Sequence, residues 1–151
     1  MSLKVVSVFG ASGEQGLGVV NSLLNDHKVN ALTRSPEKLK GLSHPNLTVV
    51  KVNIDDPSTL VDAFEGSWAV FANTWTDYFQ PEGVQITVGK RVVDAAVEAG
   101  VEWFVYSSAA EGVPAQAWRE KSAVMQYARA ISRKTGLKTI FPQVSVHFSP
   151  V

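Results

Sequence analysis

The chain has 151 residues, of which 45% are hydrophobic and 19% charged, with 14 Lys plus Arg balanced by 14 Asp plus Glu and no cysteine. That length suits one domain that buries about 70% of its unfolded surface, and the charge balance gives no field to draw nucleic acid, anionic membrane or acidic partners. Without cysteine there are no disulfides, thiolate metal sites or thiol nucleophiles, and His27, His44 and His147 lack metal-ligand spacing, so no metal site is expected.

The first predicted element is a strand over Leu3–Phe9 that runs straight into Gly10-Ala11-Ser12-Gly13-Glu14-Gln15-Gly16. A helix follows over Glu14–Asn25, with Leu17, Val19, Val20, Leu23 and Leu24 marking an apolar face. Three glycines between a strand and a helix fit a nucleotide's diphosphate. Gly10 permits the tight turn, Gly13 lets backbone approach the phosphates, and Gly16 lets the helix pack closely. The helix start offers N–H groups and the positive end of its dipole. The alternative is a glycine-rich turn with no ligand.

The second strand, Val29–Leu32, ends in Thr33-Arg34-Ser35-Pro36-Glu37-Lys38. An acidic residue at this strand tip bonds the ribose hydroxyls of NAD, whereas a basic one accepts the extra phosphate of NADP. Arg34 can fork onto that phosphate and Lys38 can add a point charge one turn later, so NADP(H) is expected over NAD(H). A solvated basic loop is the other reading. After the third strand, Leu47–Val52, Asn53 and Ile54 are placed to meet an adenine edge. Equally, Asn53 is a turn residue leading to a helix over Pro57–Glu65, which Pro57 starts.

A fourth strand, Trp68–Ala72, opens a loop over Asn73–Glu82 carrying Trp75, Tyr78 and Phe79. These aromatics would flank a nicotinamide, face a protein partner, or pack on the domain. A helix over Glu82–Ala99, a fifth strand over Trp103–Tyr106, a helix over Glu120–Lys134 and a sixth strand over Lys138–Phe141 complete the alternation. Gly66, Gly100 and Gly136 follow helical runs, as C-caps do. Short, nearly continuous apolar strands suit a parallel sheet covered on both faces. The expected fold is therefore α/β, a Rossmann-type doubly wound sheet in three layers with strand order 3-2-1-4-5-6, as a single NAD(P)-binding domain over 1–151. Little chain is left for a substrate domain, so a ligand at the strand ends would need a lid from another chain or from the last residues. Trp103 is expected in the core, and Trp118 could cover the crevice.

Reduction of a carbonyl needs a proton donor beside the developing charge. The pairing of Tyr with Lys four residues later, usual in short-chain dehydrogenases, is missing: Tyr127 is followed at that spacing by Ile131. Ser107 and Ser108, at the end of the fifth strand, could orient a substrate oxygen or simply end the strand. Lys121 could donate a proton if burial tuned it, or be an exposed first-turn lysine.

The succession Gly10-Ala11-Ser12-Gly13-Glu14-Gln15-Gly16, Ala31-Leu32-Thr33-Arg34-Ser35-Pro36, Gly89-Lys90, Asp94-Ala95-Ala96 and Ala99-Gly100-Val101 leading to Phe104-Val105-Tyr106-Ser107-Ser108 resembles the NmrA-like proteins, atypical short-chain dehydrogenase/reductases. The resemblance covers about residues 3–142. It implies an NADP(H)-preferring Rossmann fold in either a reductase of a small organic substrate or a redox sensor that holds a protein partner, with homo-oligomers left open. It further implies that Gly10, Ser12, Gly13, Glu14, Gln15 and Gly16 form the phosphate turn and that Arg34 and Lys38 contact the 2′-phosphate. Asn73 and Thr74 would border the nicotinamide ribose, and Lys121 would match the lysine that follows the fifth strand. Asn53 stands where relatives usually carry Asp, the loop from Ser108 to Lys121 is shorter, Met125 replaces a frequent Glu, and relatives continue for roughly another half. No apolar run approaches the roughly 20 residues that span a bilayer. With no secretory signal at the N-terminus, a cytoplasmic location is expected, or a nuclear one for a regulator.

Overall fold

The computed structural model describes residues 2–75 and 79–144. Six strands form one sheet: β1 (Val5–Phe9), β2 (Lys28–Thr33), β3 (Leu47–Lys51), β4 (Ala69–Ala72), β5 (Trp103–Tyr106) and β6 (Lys138–Ile140). Their order is β3-β2-β1-β4-β5-β6 and every pairing is parallel, the doubly wound arrangement expected from the alternating pattern. The register aligns the strand ends. Phe9 pairs with Leu32 on one side and Ala72 on the other, and Ala72 pairs with Tyr106. The carboxyl ends of the four central strands therefore lie level, and the residues after them share one crevice.

Four helices cover the sheet: α1 (Glu14–Leu23), α2 (Pro57–Phe64), α3 (Val84–Glu98) and α4 (Gln116–Thr135). On one face, Leu60 and Phe64 of α2, Val92 and Val93 of α3, and Val124 and Met125 of α4 close over Phe9, Leu32, Val70 and Phe104. On the other, Val20 of α1 and Leu39 pack on Val6, Val8, Val29 and Ala31. Burying each such side chain contributes about 1.5–3 kcal/mol. Asp56 caps α2 by accepting from the Ser58 amide at 3.1 Å, with Pro57 in the first turn as anticipated.

Several boundaries differ from the sequence reading. The β2–β3 crossover holds a single 3-10 turn, Pro36–Leu39, that buries only Leu39; Pro36, Gly41 and Pro45 leave no room for a longer helix. α4 starts at Gln116 rather than Glu120, just past Pro114, so Glu120 and Lys121 lie in its second turn. Trp103 packs against the core cluster on the α1 face, as expected, but stays half-buried because β6 beside it is an edge strand. The strands are not all enclosed: Val49 of β3 and Ile140 of β6, at the two edges, are exposed. Among the described residues, no helix is long and apolar enough to cross a membrane.

α3 and α4 meet at Gly89, where an added Cβ would overlap the Val124 side chain. Gly89→Ala should therefore lose about 1–3 kcal/mol to overpacking, set against a gain of about 1 kcal/mol in helix propensity. Adding Val124→Ala should relieve the overlap, so that the double variant is more stable than the two single effects sum to. Urea unfolding of all four chains measures this coupling; simple additivity would contradict the packing described.

Candidate functional site

The β1–α1 turn is shaped by missing side chains. Gly10 sits at φ +81°, a left-handed conformation, and a Cβ there would come within 2.9 Å of the Asn73 carbonyl oxygen. A Cβ on Gly16 would overlap the Gly10 carbonyl. α1 is thereby drawn onto the turn, with its N-terminus in the crevice. Gly13 caps the helix in extended conformation and, having no side chain, makes no cap hydrogen bond of its own. Amides at such an end are directed outward to whatever anion the crevice holds.

A cavity of about 990 Å³ opens here, lined among others by Gly10, Ser12, Gly13, Glu14, Gln15, Arg34, Lys38, Ile54, Asn73 and Thr74. Ten of the residues singled out in the sequence thus meet around one space, near the top of the roughly 300–1,000 Å³ range of small-molecule sites. Ser12 and Thr33 are joined by their hydroxyls at 3.2 Å, which ties the glycine turn to the tip of β2. Arg34 is exposed at that tip, its guanidinium carbon 5.0 Å from the Trp75 ring centre. Val144, beyond β6, also lines the cavity; the Ser108 carbonyl accepts from its amide at 3.1 Å.

Gly16, Asn53, Ser107, Ser108 and Lys121 lie outside the lining, the Ser108 hydroxyl donating to the Pro142 carbonyl at 3.1 Å. Gly16 serves packing. The Asn53 side chain accepts from the Asp55 amide at 3.0 Å, and its carbonyl accepts from Thr59, so Asn53 builds the turn into α2. The Ser107 hydroxyl donates to Gln15 at 2.7 Å and so links the end of β5 to α1. Lys121 lies just behind the wall. Its ammonium donates to Asn73 Oδ1 at 2.9 Å, the Thr74 carbonyl at 2.8 Å and the Ser107 carbonyl at 2.9 Å. All three protons are used, and desolvation pulls its pKa down to about 8. Lys121 is thus no exposed lysine: it clamps the ends of β4 and β5.

A buried polar chain runs beside it. The Thr74 hydroxyl donates to Gln85 Oε1 at 2.8 Å, and Gln85 Nε2 donates to Glu120 Oε2 at 3.0 Å. The Tyr106 hydroxyl lies 2.7 Å from Thr74 Oγ1. Because the Thr74 proton goes to Gln85, Tyr106 must be the donor in that bond. Donation therefore runs one way, Tyr106 to Thr74 to Gln85 to Glu120, and each bond polarises the next. Glu120 also accepts from the Gly83 amide at 2.6 Å, at the start of α3. Burial raises the Tyr106 pKa well above the ordinary tyrosine range, which makes it a poor acid.

Sequence reasoning missed Gln85 and Glu120. Both carried a signal: Gln85 heads a stripe with Gly89, Val92 and Ala96, and Glu120 one with Val124 and Ala128, each on a buried helix face. A polar residue on an apolar stripe needs a buried partner. Trp118 is half-buried on α4 and does not line the cavity. His27 stacks on Trp68 with ring centres 6.3 Å apart, and His44 accepts from the Asn46 amide. Tyr78 and His147 lie outside the described residues.

The residues present fit a phosphorylated dinucleotide: a cradle that a Cβ would fill, a helix start capped by glycine, and two cations at the β2 tip. A sequence model of the NmrA-like family matches residues 2–145. The chain is 34% identical over 155 residues to an NmrA-like family domain-containing oxidoreductase of Penicillium ochrochloron, covering 92% of this chain and 46% of that protein. The structure of the Citrobacter sp. triphenylmethane reductase superposes with a TM-score of 0.82 at 25% identity, over 95% of this chain and 50% of that one. NmrA, a negative transcriptional regulator solved in complex with NADP, superposes at 0.73 with 27% identity, over 93% and 45%. The chain spans about half the length of the curated relatives it matches.

Replacing Gln85 by Leu cuts the chain between Thr74 and Glu120. The variant should lose about 1–3 kcal/mol in urea unfolding, the cost of disrupting buried polar partners. A change within error would show that the chain contributes nothing to stability.

Proposed function

The chain belongs to the NmrA-like family, and we propose that it forms the NADP(H)-binding part of an oxidoreductase that reduces a small organic substrate. The observation that carries this reading is one cavity that joins the glycine-shaped start of α1 to Arg34 and Lys38. The first-turn amides of α1 bind the diphosphate, as helix starts bind anions. Arg34 forks onto the 2′-phosphate while Lys38 adds charge. Ile54 and Val88 give the adenine an apolar bed. A bound NADPH would supply a hydride to an electrophilic carbon.

Asn73 and Thr74, held by Lys121 and the buried chain, orient the groups at the reacting end. The Lys121 ammonium keeps a positive charge behind this wall, where it stabilises negative charge developing on a substrate oxygen. One observation favours a second reading, a redox sensor that binds NADP(H) and holds a protein partner. Lys121 has all its protons engaged, and the Tyr106 hydroxyl is turned into the core, so neither stands ready to give up a proton.

Fluorescence of the four tryptophans during titration with NADPH and NADH tests binding. NADPH consumption with a panel of carbonyls and quinones then separates the readings. Binding with turnover supports the reductase, and binding without turnover supports the sensor. Failure to bind either nucleotide at millimolar concentration overturns both. Arg34→Ala should raise the NADPH dissociation constant about 10- to 100-fold, the value of a charge-assisted contact, and leave NADH little changed. An undiminished NADPH preference would refute the role given to Arg34.

The pKa of Lys121, lowered to about 8, sets a pH dependence. Below that value the ammonium holds all three acceptors; above it one donor and the charge are lost. NADPH affinity, with any turnover, should fall as pH rises through about 8. Lys121→Met should bind more weakly and show no such fall. A falling limb that survives in Lys121→Met would assign the titration to another group.

A further inference from the structure

We propose that Trp75 is a positioning residue for cofactor specificity, whose indole face seats the Arg34 guanidinium and holds it over the cavity. This rests on the NADP(H)-binding reading above. Arg34 follows β2 and Trp75 follows β4, the two strands that flank β1 in the sheet. Their contact at 5.0 Å therefore reaches across the end of β1, over the turn that carries Gly10 and Gly13. Both side chains line the same cavity.

The chemistry of the contact gives it a purpose. A guanidinium has a face and an edge: the face stacks on aromatic rings, and the five N–H donors lie in the plane. Seating the face on an indole leaves every donor at the edge for a phosphate. Among the described residues, the ion pairs engage Arg91, Arg119, Arg129 and Lys138 but not Arg34. An exposed arginine with no seat samples many rotamers, and ordering it on binding costs affinity. Stacking on Trp75 removes much of that cost before the ligand arrives. Trp75 is 49% exposed, so its removal takes little from the core.

The test is calorimetric titration of NADPH and NADH against the unaltered chain, Trp75→Ala, Trp75→Phe, and Trp75→Ala combined with Arg34→Ala. Trp75→Ala should weaken NADPH about two- to fivefold, the scale of an exposed cation–π contact, and shift NADH by less than that. Trp75→Phe should restore most of the loss. In the Arg34→Ala background, Trp75→Ala should have no further effect on NADPH. Equal weakening of both nucleotides, tighter binding, or an unchanged NADPH-to-NADH ratio would each overturn the proposal. If the unaltered chain binds neither nucleotide, the binding reading falls and takes this inference with it. If it binds both and Trp75→Ala leaves the ratio alone, only this inference falls.

Discussion

The architecture of the site depends on one close approach, α1 resting on the Gly10 carbonyl at Gly16. Any side chain at Gly16 would push the helix away and take its N-terminus out of the crevice. Gly10 couples this turn to the neighbouring strand as well, because the Asn73 carbonyl occupies the space a Cβ would need. The turn and the loop after β4 are thus fitted to each other by backbone contact. No flexible side chain lies between them to absorb an error.

Lys121 completes that fit from behind. An ammonium out of water is stable only when its protons are satisfied, and here three acceptors come from the ends of β4 and β5. Glu120, its neighbour on α4, grips the same loop by another route, through Gln85 to the Thr74 hydroxyl. One turn of α4 therefore holds Thr74 by both its carbonyl and its side chain. Breaking a charged, buried hydrogen bond costs more than making it contributes. The wall of the cavity at Asn73 and Thr74 is accordingly stiff.

The mouth is built differently. Arg34 and Trp75 are both exposed, Lys38 stands in the short turn after β2, and none of them is locked by the core. A floor of close backbone contacts thus lies beneath a rim of two cations and an aromatic ring, of which Arg34 and Trp75 meet one another rather than the core. The matched relatives are about twice as long, and a reductase or regulatory role for this chain draws on that likeness together with the site itself.

Local patterns in the sequence determined the alternation of strand and helix, the glycine turn, the cap at Asp56 and the cations at the β2 tip. Each depends on residues a few positions apart, and such spacing is legible in a string of letters. The sheet order was expected from that glycine turn on the first crossover, which marks the doubly wound arrangement of dinucleotide-binding folds. Where local rules left a choice, the tertiary structure decided: Lys121 is half-buried with three acceptors rather than solvated, and Ser107 reaches across to α1. The partners of Lys121 and of Ser107 lie as far as 48 and 92 residues away in sequence. No periodicity encodes such pairs, because they meet only after the parallel sheet has brought its strand ends level and α4 has packed across them.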